Sequence, residues 1–279
     1  MTQLPDLDEA IDVTQEAGHI LLEKYETGLD IGIKGADEIV TEADRASEIF
    51  LLKALPEILP GSGFYGEETG YHPGENGLTW VVDPLDGTHN YSLGIPLWAC
   101  SVGLLDEERK PILGVLDFPF LESTFWAQRG GGAFVDGEPA RVATAPLDGT
   151  SAIGVQSKIR LAHFPGHIQK IAQRYAARTM GSIAYSAALV AEGRMRACMD
   201  LKVKLHDIVA ATVILEEAGG WVRDLDGEKI FPLTRDFEDF VHIPTPFFAG
   251  DPKTGPELLA FLFPDGTPGE IREMIADIQ

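Results

Sequence analysis

Trp80-Val81-Val82-Asp83-Pro84-Leu85-Asp86-Gly87-Thr88-His89-Asn90-Tyr91 is the stretch around which the chain is organised. Three apolar, β-prone residues run straight into a carboxylate, and a second carboxylate follows three positions on. The pattern predicts a buried strand that delivers acids to its C-terminal mouth, with Pro84 and Gly87 marking a turn. Thr88 and Asn90 then offer N–H groups and a hydroxyl that can hold an anion. Two carboxylates and an anion-binding turn at one strand end suit hard cations beside a phosphate. Magnesium takes oxygen ligands and completes its shell with water and substrate phosphate.

The chain has 279 residues, enough for one large domain or two moderate ones. Forty-four acids against 22 bases give a formal charge of −22, which disfavours nucleic acid and anionic lipid as partners. An anionic substrate would meet the same field, so cations at the site must neutralise it. Cys100 and Cys198 sit in apolar runs without metal-ligand spacing and read as reduced core cysteines. The N-terminal Met1-Thr2-Gln3-Leu4-Pro5-Asp6 has no basic or apolar targeting region, and no apolar run is long enough to span a membrane. The expectation is a cytoplasmic protein.

Outward from the central stretch, Ile11, Thr14, Ala17, Leu21 and Tyr25 fall at helical spacing and predict a helix over Leu7 to Tyr25. A short strand or turn around Ile31 to Lys34 precedes Thr41-Glu42-Ala43-Asp44, which has the form of a capping box. The second helix, with Ala46, Ile49, Phe50 and Leu55 as its apolar face, runs to Pro60-Gly61. Asp44 reads as a helix cap or as a member of a larger acid set. Phe64 to Gly66 is a short strand ending in Glu67 and Glu68, adjacent carboxylates that repel unless cations or donors offset them. Leu97 to Leu105 and Pro111 to Asp117 form a hairpin, Phe125 to Ala127 a further strand, and Gly130-Gly131-Gly132 a structural turn. This half, residues 1–145, is α+β with an antiparallel sheet.

Beyond a Pro/Gly-rich connection the pattern alternates, predicting an α/β half over 146–279 with a mixed or parallel sheet. Strands are expected at Ser151 to Gln156, Arg178 to Met180, Arg196 to Met199, Trp221 to Arg223 and Phe247 to Ala249. Helices are expected over Phe164 to Ala177, from Gly181-Ser182 to Glu192, from Asp207 through Ala218, over Pro256 to Phe263 and over Gly269 to Ile278. Gly219-Gly220 caps the third of these helices, and Gly181-Ser182 is a second possible phosphate cradle.

Asp44, Glu67, Glu68, Asp83, Asp86 and Asp207 are therefore all acids at element termini. The spacing Asp83-x-x-Asp86 is one residue too long for the Asp-x-Asp-Gly-Thr signature of haloacid-dehalogenase phosphatases. The sequence resembles the magnesium-dependent, lithium-sensitive inositol monophosphatase superfamily instead. The resemblance rests on Gly66-Glu67-Glu68-Thr69, on Trp80 through Thr88, and on Asp207-Ile208-Val209-Ala210-Ala211 leading to Glu217-Ala218-Gly219-Gly220. It implies an αβαβα sandwich, a homodimer, two or three Mg²⁺ ions and a small phosphorylated alcohol as substrate. Glu67, Asp83 and Asp86, with the Leu85 carbonyl, look like metal ligands, and Asp207 like the ligand from the C-terminal half. Glu68 would order a bound water, and Asp44 with Thr88 would activate it. Gly87 and Thr88 would hold the phosphate, Gly181, Ser182, Asp200 and Lys34 would lie about the substrate, and Asp86 and Asp207 would also face it.

The chemistry is coherent apart from the resemblance, because metal coordination acidifies water and phosphoryl transfer then needs mainly alignment and charge neutralisation. Three departures bear on the substrate. His89 stands where a small hydroxylated residue is common, Asp200 is shorter than the usual Glu, and His206 replaces a frequent tryptophan. His206 reads as a residue that supports the ligands from behind or belongs to the core, rather than as a catalytic base. The leading expectation is hydrolysis of inositol monophosphate. Histidinol phosphate and fructose 1,6-bisphosphate are alternatives on the same scaffold, and a regulatory binding protein with vestigial activity is the alternative of another class.

Overall fold

The computed structural model describes residues 4–27, 31–33, 39–155, 165–234, 237, 245–267, 269 and 272–273. Helix α1 (Leu7–Thr27) is followed by an antiparallel pair, β1 (Ile31–Ile33) and β2 (Ile39–Thr41), and by helix α2 (Glu42–Ile58). Eight strands then build one sheet: β3 (Gly63–Gly66), β4 (Gly70–His72), β5 (Thr79–Asp86), β6 (Ala99–Leu105), β7 (Pro111–Phe118), β8 (Ser123–Gln128), β9 (Gly132–Val135) and β10 (Glu138–Pro139). Their spatial order is β10-β9-β8-β7-β6-β5-β3-β4, and a short helix, α3 (Thr88–Ser92), follows β5. The pairing is antiparallel throughout except between β3 and β5.

The rest of the chain alternates as β11 (Ala152–Val155), α4 (Pro165–Arg174), β12 (Ala176–Arg178), α5 (Ile183–Ala191), β13 (Ala197–Val203), α6 (Leu205–Glu217), β14 (Trp221–Arg223), β15 (Thr245–Gly250) and α7 (Gly255–Leu262). The second sheet is mixed, in the order β12-β11-β13-β15-β14, with β11 parallel to both neighbours and β15 antiparallel to both of its own.

Side-chain alternation explains the layering. On β5, Trp80 and Val82 join the core beneath α1 and α2, while Val81 points to the opposite face against Val209 of α6. A second core fills the space between the sheets with α5 and α6, and a third lies under α4 and α7. The result is a five-layer αβαβα sandwich. A helix between two sheets has no solvent face, and accordingly ten residues of α6 are buried, His206 among them.

The parallel β3–β5 register is what brings separate acids together. Gly66 pairs with Val82, so Glu67 leaves β3 level with Asp83. The expected turn at Pro84 is instead part of the strand. β5 continues to Asp86, and its register against β6 shifts between Asp83 and Asp86, an irregularity that tolerates a residue without a ladder N–H.

Other boundaries also move. β12 lies at Ala176–Arg178, two residues early, because it is set by pairing with β11, and Lys229-Ile230 lies outside any strand. On α2 the buried face is Ala43, Asp44, Ser47, Glu48, Leu51 and Leu55, which shares only Leu55 with the expected one, and Ile49 is 49% exposed. Most of the expected terminal helix from Gly269 to Ile278 lies outside the described residues.

Docking of α6 on the first sheet depends on two glycines. Gly103 of β6 and Gly114 of β7 are directly paired. A Cβ at Gly103 would lie 2.5 Å from Val209 Cγ1, and one at Gly114 would lie 2.6 Å from the Ala210 carbonyl oxygen. Gly114→Val should therefore force α6 off the sheet and cost about 1–3 kcal/mol by urea denaturation, as overpacked cores do. An unchanged midpoint would show that the contact is not tight.

Candidate active site

The strand ends and the α6 N-terminus converge on two overlapping acid groups. Glu67, Asp83 and His206 present ligand-type atoms within 4.8 Å of one another, and so do Asp83, Asp86 and Asp207. Asp83 belongs to both. It is 2% exposed, and burial, followed by the charges of Glu67, Asp207 and Asp86, pushes its carboxyl well above the usual carboxylate range. The Leu85 N–H, which donates to Asp83 Oδ1 at 2.9 Å, opposes that push.

Each ligand is held from behind. Asp86 Oδ2 accepts the Ser182 hydroxyl and the Ala184 N–H, the latter at 3.0 Å, so the N-terminus of α5 cradles a carboxylate of the other sheet. Ser182 is also the N-cap of α5, accepting the Tyr185 N–H at 3.0 Å. The expected second phosphate cradle thus already holds Asp86. Asp207 sits in the first turn of α6, where its Oδ2 accepts the Lys204 N–H at 2.6 Å and its Oδ1 lies 3.4 Å from His206 Nε2. Lys204 Nζ approaches Glu67 Oε1 at 3.3 Å and places one fixed positive charge on the rim.

The remaining expected residues distribute around this centre. Gly87 has φ +88°, and a Cβ there would lie 2.9 Å from the Leu97 carbonyl oxygen, so only glycine makes the turn into α3. The Thr88 hydroxyl donates to the Leu85 carbonyl at 3.0 Å. Gly181 abuts Asn90, whose side-chain amide donates to the carbonyls of Leu97 and Met180 at 2.7 and 2.8 Å. Asp44 is buried in the first turn of α2. Asp200 lies on β13 and accepts the Lys202 N–H at 2.8 Å, outside both acid groups. The Glu68 N–H donates to Glu48, and Lys34 lies outside the described residues.

Glu48 is the main participant that sequence reasoning missed. Fully buried on α2, it accepts the N–H groups of Glu68 and Thr69 at 2.9 and 2.6 Å and so fixes the loop that carries Glu67. Burial raises its pKa. Its signal was present, four residues after Asp44 on the same helix face.

Clustered, buried, mutually repelling oxygen donors fit hard divalent cations, which remove the repulsion and satisfy the lone pairs together. The chain as a whole is matched in known proteins. The model described as the inositol monophosphatase family matches residues 3–243. The chain belongs to that family.

It is therefore a phosphatase, a hydrolase of a metal-dependent family. A histidinol-phosphatase of Chlorobaculum parvum is 34% identical over 229 residues, covering 81% of this chain and 88% of the relative. An inositol-1-monophosphatase of Mesorhizobium japonicum is also 34% identical over 229 residues, covering 79% and 86%. Among solved structures, extragenic suppressor protein suhB of Bartonella henselae superposes with a TM-score of 0.82 at 27% identity, covering 91% of this chain and 97% of the other. No helix of the described residues is long and apolar enough to cross a membrane.

The loop that carries Glu67 leans on Glu48. Glu48→Ala should leave two loop N–H groups buried without their acceptor and cost about 2–4 kcal/mol of stability. Glu48→Gln, which keeps one acceptor oxygen, should recover part of that loss in a thermal melt. Equal melts for the two variants would remove Glu48 from this role.

Proposed function

We propose that the chain is a Mg²⁺-dependent phosphomonoesterase acting on a small polyol phosphate, with inositol monophosphate as the leading substrate. The observation that carries the reading is Asp83, buried and shared between two ligand groups drawn from both halves of the chain, 1–145 and 146–279. Glu67, Asp83, Asp86, Asp207 and the Leu85 carbonyl would hold two or three ions. When bound, these ions acidify a water and neutralise charge on the attacking and leaving oxygens.

The chain's own groups supply alignment and proton handling. The Leu85 carbonyl now accepts the Thr88 hydroxyl. Asp44 and the Thr88 hydroxyl would together take the proton of the attacking water. Glu68, beside the ligand Glu67, orders that water. Gly87 and Thr88 would direct N–H groups at the phosphate, and Gly181, Ser182 and Asp200 would lie on the side of the alcohol, with Lys34 kept as a substrate residue on the resemblance alone. Ser182 acts through Asp86, whose carboxylate it orients. Proton transfer and positioning of this kind contribute most when water is excluded and the donors are already in place.

A second reading changes only the alcohol. Identity to the Chlorobaculum histidinol-phosphatase equals that to the Mesorhizobium inositol enzyme, which favours histidinol phosphate as the alternative. The protein is read as cytoplasmic and homodimeric. Exposed Leu93, Ile95, Phe120 and Leu121 support association, since Phe120 packs on Tyr25, which in turn packs on Tyr91 and Trp98 near Leu93.

Phosphate release from inositol 1-phosphate, histidinol phosphate and fructose 1,6-bisphosphate, each with Mg²⁺ and with EDTA, tests the reading. One preferred, EDTA-sensitive substrate is expected. Asp83→Asn should lower kcat at least about 10³-fold with the fold retained. Wild-type turnover in that variant would overturn the metal mechanism, and no release from any substrate would favour a regulatory binding role.

A further inference from the structure

His206 is an imidazole set among carboxylates. It is 3% exposed, and its ring stacks on Tyr65 with centroids 6.4 Å apart and planes 28° from parallel. Nε2 lies 3.6 Å from Glu67 Oε1 and 3.4 Å from Asp207 Oδ1. Both separations are longer than ordinary N–H···O hydrogen bonds, which fall near 2.7–3.2 Å. The 3.4 Å separation matches that of two donors bound to one ion and the 3.6 Å separation slightly exceeds it, while Glu67, Asp83 and His206 all present ligand atoms within 4.8 Å of one another. Donors about 2.1 Å from a common cation, at tetrahedral or octahedral angles, lie about 3.0–3.4 Å apart.

We propose that His206 Nε2 is a direct ligand of the cation held by Glu67 and Asp83, and that this nitrogen shifts the site's preference from Mg²⁺ toward Mn²⁺, Co²⁺ and Zn²⁺. The inference rests on reading the acid cluster as a divalent-cation site. Imidazole suits borderline transition ions better than magnesium, which binds almost wholly through oxygen. The ring proton then belongs to Nδ1. That atom is buried with no hydrogen-bond partner, so packing against Tyr65, rather than a second hydrogen bond, orients the ring. Asp207 turns one oxygen to the Lys204 N–H, its other lies 3.4 Å from His206 Nε2, and it groups with Asp83 and Asp86.

Electron spin-echo spectroscopy of the full-length chain loaded with Mn²⁺ reads the bond directly. Bound Mn²⁺ should show ¹⁴N modulation that converts to the ¹⁵N pattern when the protein carries ¹⁵N-histidine. The modulation should persist in His89→Asn, which alters an exposed histidine next to Thr88, and vanish in His206→Gln. In His206→Gln, affinity should fall about 10-fold or more for Mn²⁺ and less for Mg²⁺ by titration calorimetry. The labelling arm needs no substitution, so it decides the matter even where His206→Gln does not fold. Bound Mn²⁺ without nitrogen coupling would overturn the ligand assignment and leave the carboxylate site standing. Failure to bind Mn²⁺ at all would overturn both.

Discussion

Two paired glycines set how closely the halves of this protein approach. Without side chains at Gly103 and Gly114, the backbone of α6 can lie against β6 and β7, with Val209 and Ala210 filling the space that Cβ atoms would take. The helix is then held at its far end too, where Glu217 accepts the N–H groups of Gly130 and Gly132 at 2.9 and 2.8 Å. A helix fixed along its length and at its C-terminus has a determined N-terminus. That is why Asp207 and His206 arrive beside Asp83, a residue from a different sheet and more than a hundred positions earlier. The triple-glycine turn, unremarkable as a phosphate loop, is an anion cradle whose anion comes from the protein itself.

The price of that assembly is electrostatic. Bringing Glu67, Asp86 and Asp207 around a buried Asp83 opposes folding, as the upward push on the Asp83 carboxyl registers. In a chain with a formal charge of −22 little long-range compensation is at hand. The structure answers locally, with the N-terminus of α5 on Asp86, the Leu85 N–H on Asp83 and Lys204 on Glu67. These contacts orient the carboxylates but leave their mutual repulsion in place. Cation binding to such a site is then coupled to stability, because an ion that binds the folded chain alone favours it by mass action.

Much of this was legible in the sequence, for identifiable reasons. Trp80 through Thr88 combines a short continuous apolar run with acids at the strand end, and both features depend only on local sequence. The layered αβαβα architecture followed from the change of pattern near Pro139 together with the resemblance. What spacing could not show was the consequence of pairing. Pro84 remains within β5 because a register shift absorbs it, and no local rule predicts a shift set by β6. Glu48 was overlooked because a carboxylate on a buried helix face contradicts the apolar pattern, and its acceptors' partners lie on a loop twenty residues away. Ser182 looked like a ligand for phosphate because a helix N-terminus attracts any anion. Only the tertiary fold reveals that Asp86 occupies it.

Lys204 and an exchangeable ion do different work at the same cluster. The ammonium reaches Glu67, at the partly exposed edge, where one positive charge is cheap to place and weakly felt in depth. Among the influences on Asp83, by contrast, the neighbouring charges are all carboxylates, and only the Leu85 N–H opposes them. A longer or more buried lysine could supply that missing charge permanently, but it would fill the space in which water and phosphate must meet. A divalent cation delivers twice the charge in a smaller volume and keeps coordination positions open to both. In the proposed site the fixed cation would therefore sit at the rim and the exchangeable one at Asp83, an arrangement that would tie the chemistry of the site to a carboxylate surrounded by other carboxylates.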